Sequence, residues 1–255
     1  MKYVDRFDDG NVQHRGPFLT PPDAPRSNWE VIRPAGEEPY LKLTVWHELN
    51  AMHPPNGIAN ERTEYTTPYF TTPPEGRTFH YGFHVHYPHY RKINGRHLLT
   101  QFKVNMKDGV NPSPLVGIYL EAGGKRNLEK IKVCHEYDYA TGKCICENHF
   151  IEEDSEHYPL LPPGEWIALK LSTHISKGAD GWVKIHKNGL LVWEYTGPTN
   201  YRNARFDKFT IRFGLYRDRN IDGPQHDDAE AYFRNFAFST DEALVDQILF
   251  SPASP

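Results

Sequence analysis

The chain has 255 residues, 38% hydrophobic and 24% charged, enough to bury a full core as one large domain or two small ones. A net charge of −4 argues against general nucleic-acid binding, and the absence of any apolar run of about 18 residues argues against a membrane-spanning helix. Aromatic residues make up 13%, and 21 Pro and 19 Gly are scattered as turn formers, which suits a β protein with many turns.

The opening MKYVDRFDDG has no apolar leader core, so the chain either stays inside the cell or has lost a signal. We expect an extracellular or periplasmic protein, with a cytoplasmic one left open. Strand-like runs follow at Tyr40–His47, Thr78–Tyr87, His97–Met106, Leu115–Glu121 and Glu165–Thr173. They continue at Trp182–Lys187, Leu190–Tyr195, Lys208–Arg217 and Glu230–Phe238. Asn188-Gly189 between two β-rich arms predicts a type I′ hairpin turn. Helical periodicity is convincing only in TDEALVDQILF, where Thr240 or Asp241 could cap a short helix. Nine strands without intervening helices predict an all-β sandwich or barrel. No linker divides the chain. We therefore expect one domain over 1–255, with an N-terminal extension at 1–27 and a short helix and tail at 240–255.

Three strands read as two-faced. In KFTIRFGLYRD, Phe209, Ile211, Phe213 and Leu215 alternate against Thr210, Arg212, Gly214 and Tyr216. Gly214 would leave room for a ligand against the sheet, and Tyr216 would offer a phenol beside cations for proton abstraction from an acidic sugar. In TFHYGFHVHY the polar face is His80, Gly82, His84 and His86. In HLLTQFKVNM, Leu98, Thr100, Phe102, Val104 and Met106 share one face, and Leu99, Gln101, Lys103 and Asn105 the other. These polar faces carry donors and cations and no acid before Asp218, which favours an anionic, hydroxyl-rich ligand in one long groove.

In ERTE, Arg62 stands between acids. It could form a structural ion pair, or its fork of donors could grip a sugar carboxylate with Glu64 steadying the guanidinium. Metal sites are drawn less readily. Cys134, Cys144 and Cys146 lack paired C-x2-C spacing, so one hairpin-crossing disulfide plus a free thiol, or three thiols, outweighs zinc with His135 and His149. His84, His86 and His89 lack an evident third ligand and carboxylate partners.

The ERTE run, the Gln of LLTQFKV, the hairpin DGWVKIHKNGLLVW, FGLYRD and the closing YFRNFAFS together resemble β-jelly-roll polysaccharide lyases of the glucuronan lyase and heparin lyase I type. The resemblance covers roughly residues 28 to 240. It implies a concanavalin-like sandwich of two antiparallel sheets with a concave substrate groove, and β-elimination on a uronate-containing polymer of glucuronan, alginate or heparin type. Carried over residue by residue, it implies that Tyr216 is the acid–base group, that Gln101 and Arg62 neutralise the uronate carboxylate, and that His53, rather than His47, is the groove histidine. Lys103, Arg212, Arg217, His84, His86 and His47 would bind substrate, the basic ones without demanding a sulfated sugar. The implied chemistry needs no cofactor, and any bound calcium would be structural. The expected partner is an acidic polysaccharide, with no nucleic acid, no membrane and a monomeric chain. A lectin or laminin-G-like binding module would share the sandwich. A retaining glycoside hydrolase would need two carboxylates about 5 Å apart on one strand face. The acid-rich EEDSE (Glu152–Glu156) and DDAE (Asp227–Glu230) runs read as solvated loops instead.

Overall fold

The computed structural model describes residues 1–5, 29–45, 51–52, 60–71, 74–88, 96–106, 112–123, 126–151, 155, 158–203, 206–218 and 229–251. In chain order its strands are β1 (Lys2–Asp5), β2 (Trp29–Ile32), β3 (Tyr40–Val45), β4 (Ala51–Met52), β5 (Asn60–Thr66), β6 (Arg77–His86), β7 (Arg96–Met106) and β8 (Val116–Gly123). They continue with β9 (Arg126–Asp138), β10 (Lys143–Ile151), β11 (Trp166–Ile175), β12 (Trp182–Lys187), β13 (Leu190–Thr196), β14 (Phe206–Asp218) and β15 (Ala229–Ser239), ahead of one helix, α1 (Glu242–Phe250).

Two antiparallel sheets form the sandwich. One runs β13-β12-β11-β6-β15-β3-β2, with β1 also on β15; the other runs β10-β9-β8-β7-β14-β5-β4. Between them lies an aromatic core. Phe102 stacks on Phe209 at 4.9 Å within one sheet, and Phe83 meets Phe213 at 4.9 Å across the sandwich. Phe213 also contacts Tyr65, Phe233 and Phe236. Such rings supply the largest share of buried apolar area per residue.

Several expectations hold in detail. Asn188 (φ 52°) and Gly189 (φ 85°) both take positive φ between β12 and β13, as a type I′ turn requires. Asp241 is the cap of α1, its side chain accepting from the Ala243 amide. Cys134 and Cys146 are joined across the β9–β10 hairpin, and Cys144 is free.

Others need correction. The segment assigned to an N-terminal extension begins with a strand of the eight-stranded sheet: β1 lies on the second half of β15, pairing Phe236 with Asp5. In β7 the period-two reading fails at its start. A bulge against β8 between Leu98 and Thr100 turns Leu99 into the core, so Leu98 and not Leu99 lies in register with Tyr216 and Tyr119.

Gly214 also has a different role from the one its sequence context suggests. It sits at a bulge between β14 and β7 with φ +144°, and a Cβ there would come within 2.5 Å of the Thr63 carbonyl and 2.9 Å of Leu43. Close strand approach, not space for a ligand, demands glycine. Gly214→Ala should therefore cost about 1–3 kcal/mol of stability, read as a lowered thermal midpoint.

Candidate active site

On the face of the seven-stranded sheet turned away from the core, the adjacent strands β7, β14 and β5 carry most of the expected residues. Phe209, Ile211, Phe213 and Leu215 are fully buried on the inner side, so the alternate residues of β14 point outward. Cross-strand pairing then sets rows across the sheet. One row joins Gln101, Arg212 and Thr66; the next holds Gly214 opposite Glu64; a third joins Leu98, Tyr216 and the backbone of Arg62. Directly opposed residues share a face at about 5 Å between Cβ atoms. Gln101 and Tyr216 thus share one surface, half-exposed at Tyr216.

This outer face is not an ordinary solvated one. Gln101 is 3% exposed, Glu64 4% and Lys103 7%, so polar groups form a recessed floor. Its central contact spans β14: Gln101 Nε2 donates to Glu64 Oε1 at 2.6 Å. A carboxylate accepts only, so this bond fixes which end of the amide faces Glu64. Sequence reasoning paired Glu64 with Arg62 and did not foresee this partner. The floor is also pinned by Thr100 Oγ1, which donates to the Arg212 carbonyl at 2.9 Å, by Thr210 Oγ1, which donates to the Thr67 carbonyl, and by the Ile211 amide, which donates to Thr67 Oγ1.

The expected cations fare differently. Arg212 lies on the floor. Its Nη2 reaches Tyr69 Oη at 3.5 Å, while its buried Nε has no partner among the described residues. Lys103 is on the same face, but its ammonium donates to the Pro112 carbonyl and so anchors a loop. The side chains of Arg62 and Arg217, and the whole of His47, His53 and His89, lie outside the described residues.

His84 and His86 are misplaced by the expectation of one shared groove. Alternation gave their face correctly but not their sheet. β6 lies in the eight-stranded sheet, so their outward face is on the opposite side of the sandwich. There His86 stacks on Tyr232 at 5.4 Å, and Arg234 lies 4.3 Å from the Trp166 ring centroid. Burial, aided by Arg234, pushes the His84 pKa down to about 4, and burial also lowers that of His86. Neutral imidazoles there are poor anion ligands. Since the unfolded chain takes up a proton near pH 6.5 and folded His84 does not, His84 should stabilise the fold above that pH. The contribution falls away between about pH 6.5 and 4, by up to about 3 kcal/mol. A shallower acid limb in urea midpoints of His84→Gln checks this.

Sequence reasoning also missed the floor's extension. On β9, Ile131 and Val133 enter the core while Lys130 and Lys132 face outward, opposite Tyr119 and Gly117 of β8. The alternation Lys-Ile-Lys-Val carries that signal. Among the described residues no group of three or more His, Cys, Asp or Glu side chains is arranged to hold a metal ion.

A family model described as polysaccharide lyase matches residues 30–237. No curated protein matches. Among solved structures, the endo-β-1,4-glucuronan lyase of the fungus Trichoderma reesei is similar with TM-score 0.63 and 16% identity, covering 86% of this chain and 90% of that one. An alginate lyase of Pseudomonas aeruginosa gives TM-score 0.56 at 15% identity, covering 84% and 86%. The alginate lyase vAL-1 from Chlorella virus gives 0.53 at 13%, covering 83% and 88%. At such identities the likeness to these structures is one of fold.

Proposed function

Because the chain belongs to the polysaccharide lyase family, we propose that it cleaves a uronate-containing acidic polysaccharide by β-elimination on the outer face of the seven-stranded sheet. The observation that carries this reading is the placement of Gln101 and Tyr216 on one recessed polar floor, in rows on either side of Gly214.

The reaction removes the proton on C5 of the uronate, forms a C4–C5 double bond and expels the 4-O-glycosidic oxygen. C5 is a very weak carbon acid while its carboxylate is charged. Gln101, through the N–H not given to Glu64, would hydrogen-bond that carboxylate and stabilise the negative charge that grows on it. Arg62 would share this task, its backbone standing opposite Tyr216, and His53 is the proposed groove histidine. Tyr216 would take the C5 proton and return it to the leaving oxygen, which requires approach within hydrogen-bond reach, about 3 Å. Arg212, whose Nε has no partner among the described residues, adds a fixed positive charge to the floor. The step consumes no co-reactant.

A binding module on the same sandwich would present the same floor without turnover. Incubation with glucuronan, alginate, heparin and hyaluronan separates the two. The expected result is growing ultraviolet absorbance from the unsaturated uronate product on a non-sulfated polymer. Binding without that absorbance, or new reducing ends without it, would refute the elimination reading.

A further inference from the structure

The outward face of β14 continues past Arg212 through Thr210 to Lys208, while Phe209 and Ile211 between them are buried in the core. Beside this half of β14 the chain leaving β5 stays docked. The Thr67 amide donates to the Ile211 carbonyl at 3.0 Å, and Phe70 and Phe209 exchange amide-to-carbonyl bonds at 2.8 and 3.0 Å. The Phe70 ring turns inward, 5.0 Å from that of Phe209 and 4.7 Å from that of Phe238. Its neighbour Tyr69 is turned the other way and is 43% exposed, although the backbone is fixed on both sides of it. Two cations of the outer face meet this phenol. Lys208 Nζ lies 4.8 Å from the ring centroid, and Arg212 Nη2 reaches Oη at 3.5 Å. Among the described residues neither cation is paired with a carboxylate.

From this placement we infer that Tyr69, Lys208 and Arg212 form a subsite for a uronate that flanks the one being cleaved. The inference rests on the lyase reading above. The phenol stations both cations: its ring attracts the ammonium, its oxygen accepts from the guanidinium, and the ring itself stays open to solvent. A uronate unit has the matching parts, a carboxylate for the cations and an apolar C–H surface for the ring. The 3.5 Å contact occupies at most one of the N–H groups on the Arg212 fork, which leaves others for an anion. Arg212 stands directly opposite Gln101, and Tyr69 lies across β14 from it. Two strand spacings separate Tyr69 from β7, so the ring is at least about 10 Å from Gln101, too far for the sugar whose carboxylate Gln101 holds. The subsite therefore takes a neighbouring unit of the polymer, with Arg212 bordering both.

The test uses size-graded oligomers of whichever polyuronate the wild-type protein cleaves, from trimer to hexamer, with kcat and KM for each. Wild type should gain in kcat/KM when the oligomer becomes long enough to reach Tyr69. Lys208→Met keeps the stem and removes the charge; it should raise KM for those longer oligomers by about three- to tenfold and leave kcat within about twofold. The shortest cleaved oligomer should be unaffected. Tyr69→Leu, which removes the ring from an exposed position, should lose the same gain, and Lys208→Arg should keep most of it. An unchanged length profile in both Lys208→Met and Tyr69→Leu, or an equal loss at every length, overturns the subsite alone. Unsaturated product from no polyuronate overturns the lyase reading and the subsite with it.

Discussion

Tyr216→Phe is expected to lower turnover by about 10²–10⁴-fold, the range a positioned general acid–base group supplies, while oligomer binding changes little. The substitution removes one oxygen from an outward, half-exposed position of β14 and leaves the inward Phe213 and Leu215 untouched, so the thermal midpoint should stay near wild type. Affinity should survive because the groups proposed to hold the carboxylate, Gln101 and Arg62, remain. The measurement is single-turnover product formation beside calorimetric binding of an intact oligomer. Loss in both would mean that Tyr216 mainly shapes the floor. Full activity would move the base elsewhere, with His53 the next group to substitute.

The outward placement of Tyr216 is legible in the sequence because β14 is strongly patterned. Phe209, Ile211, Phe213 and Leu215 are apolar and fully buried, Thr210, Arg212 and Tyr216 alternate with them, and burial on one face penalises a slip of register. The Asn188-Gly189 hairpin was equally legible, since positive φ at two successive positions selects those residues. β9 and β10 were not read as strands, although they form the longest hairpin. Their partly exposed edge carries Lys, Glu, His and Cys, which mask the alternation of Ile131 and Val133. Which sheet a strand joins is a non-local property. Hence His84 and His86 had the right face and the wrong side of the sandwich. Bulges are the other blind spot: one extra residue at Leu99 inverts the strand beyond it, and no local composition announces it. Gly214 is expected from the sequence to leave room for a ligand, but what demands glycine there lies in the neighbouring strand and in Leu43 across the core.

The bond between Gln101 and Glu64 yields the second large effect. Gln101→Ala should lower kcat by about 10²–10³-fold with a smaller change in KM, because its hydrogen bond strengthens as charge develops on the substrate carboxylate. If Glu64 acts by holding the amide with its N–H groups toward the carboxylates, Glu64→Ala should approach the same loss, since a freed amide can present its oxygen to an anion instead. Glu64→Gln keeps an acceptor at the same place and should recover activity to within about tenfold of wild type. Both groups are nearly covered, so each truncation also costs about 1–3 kcal/mol by stranding its partner, and kinetics must be compared well below the lowered midpoint. The deciding comparison is the double variant. A positioning carboxylate adds nothing once the amide it positions is gone, so Gln101→Ala/Glu64→Ala should turn over no more slowly than Gln101→Ala. Fully additive losses would instead give Glu64 its own contact with substrate or with Arg62, the partner that the sequence alone suggested for it.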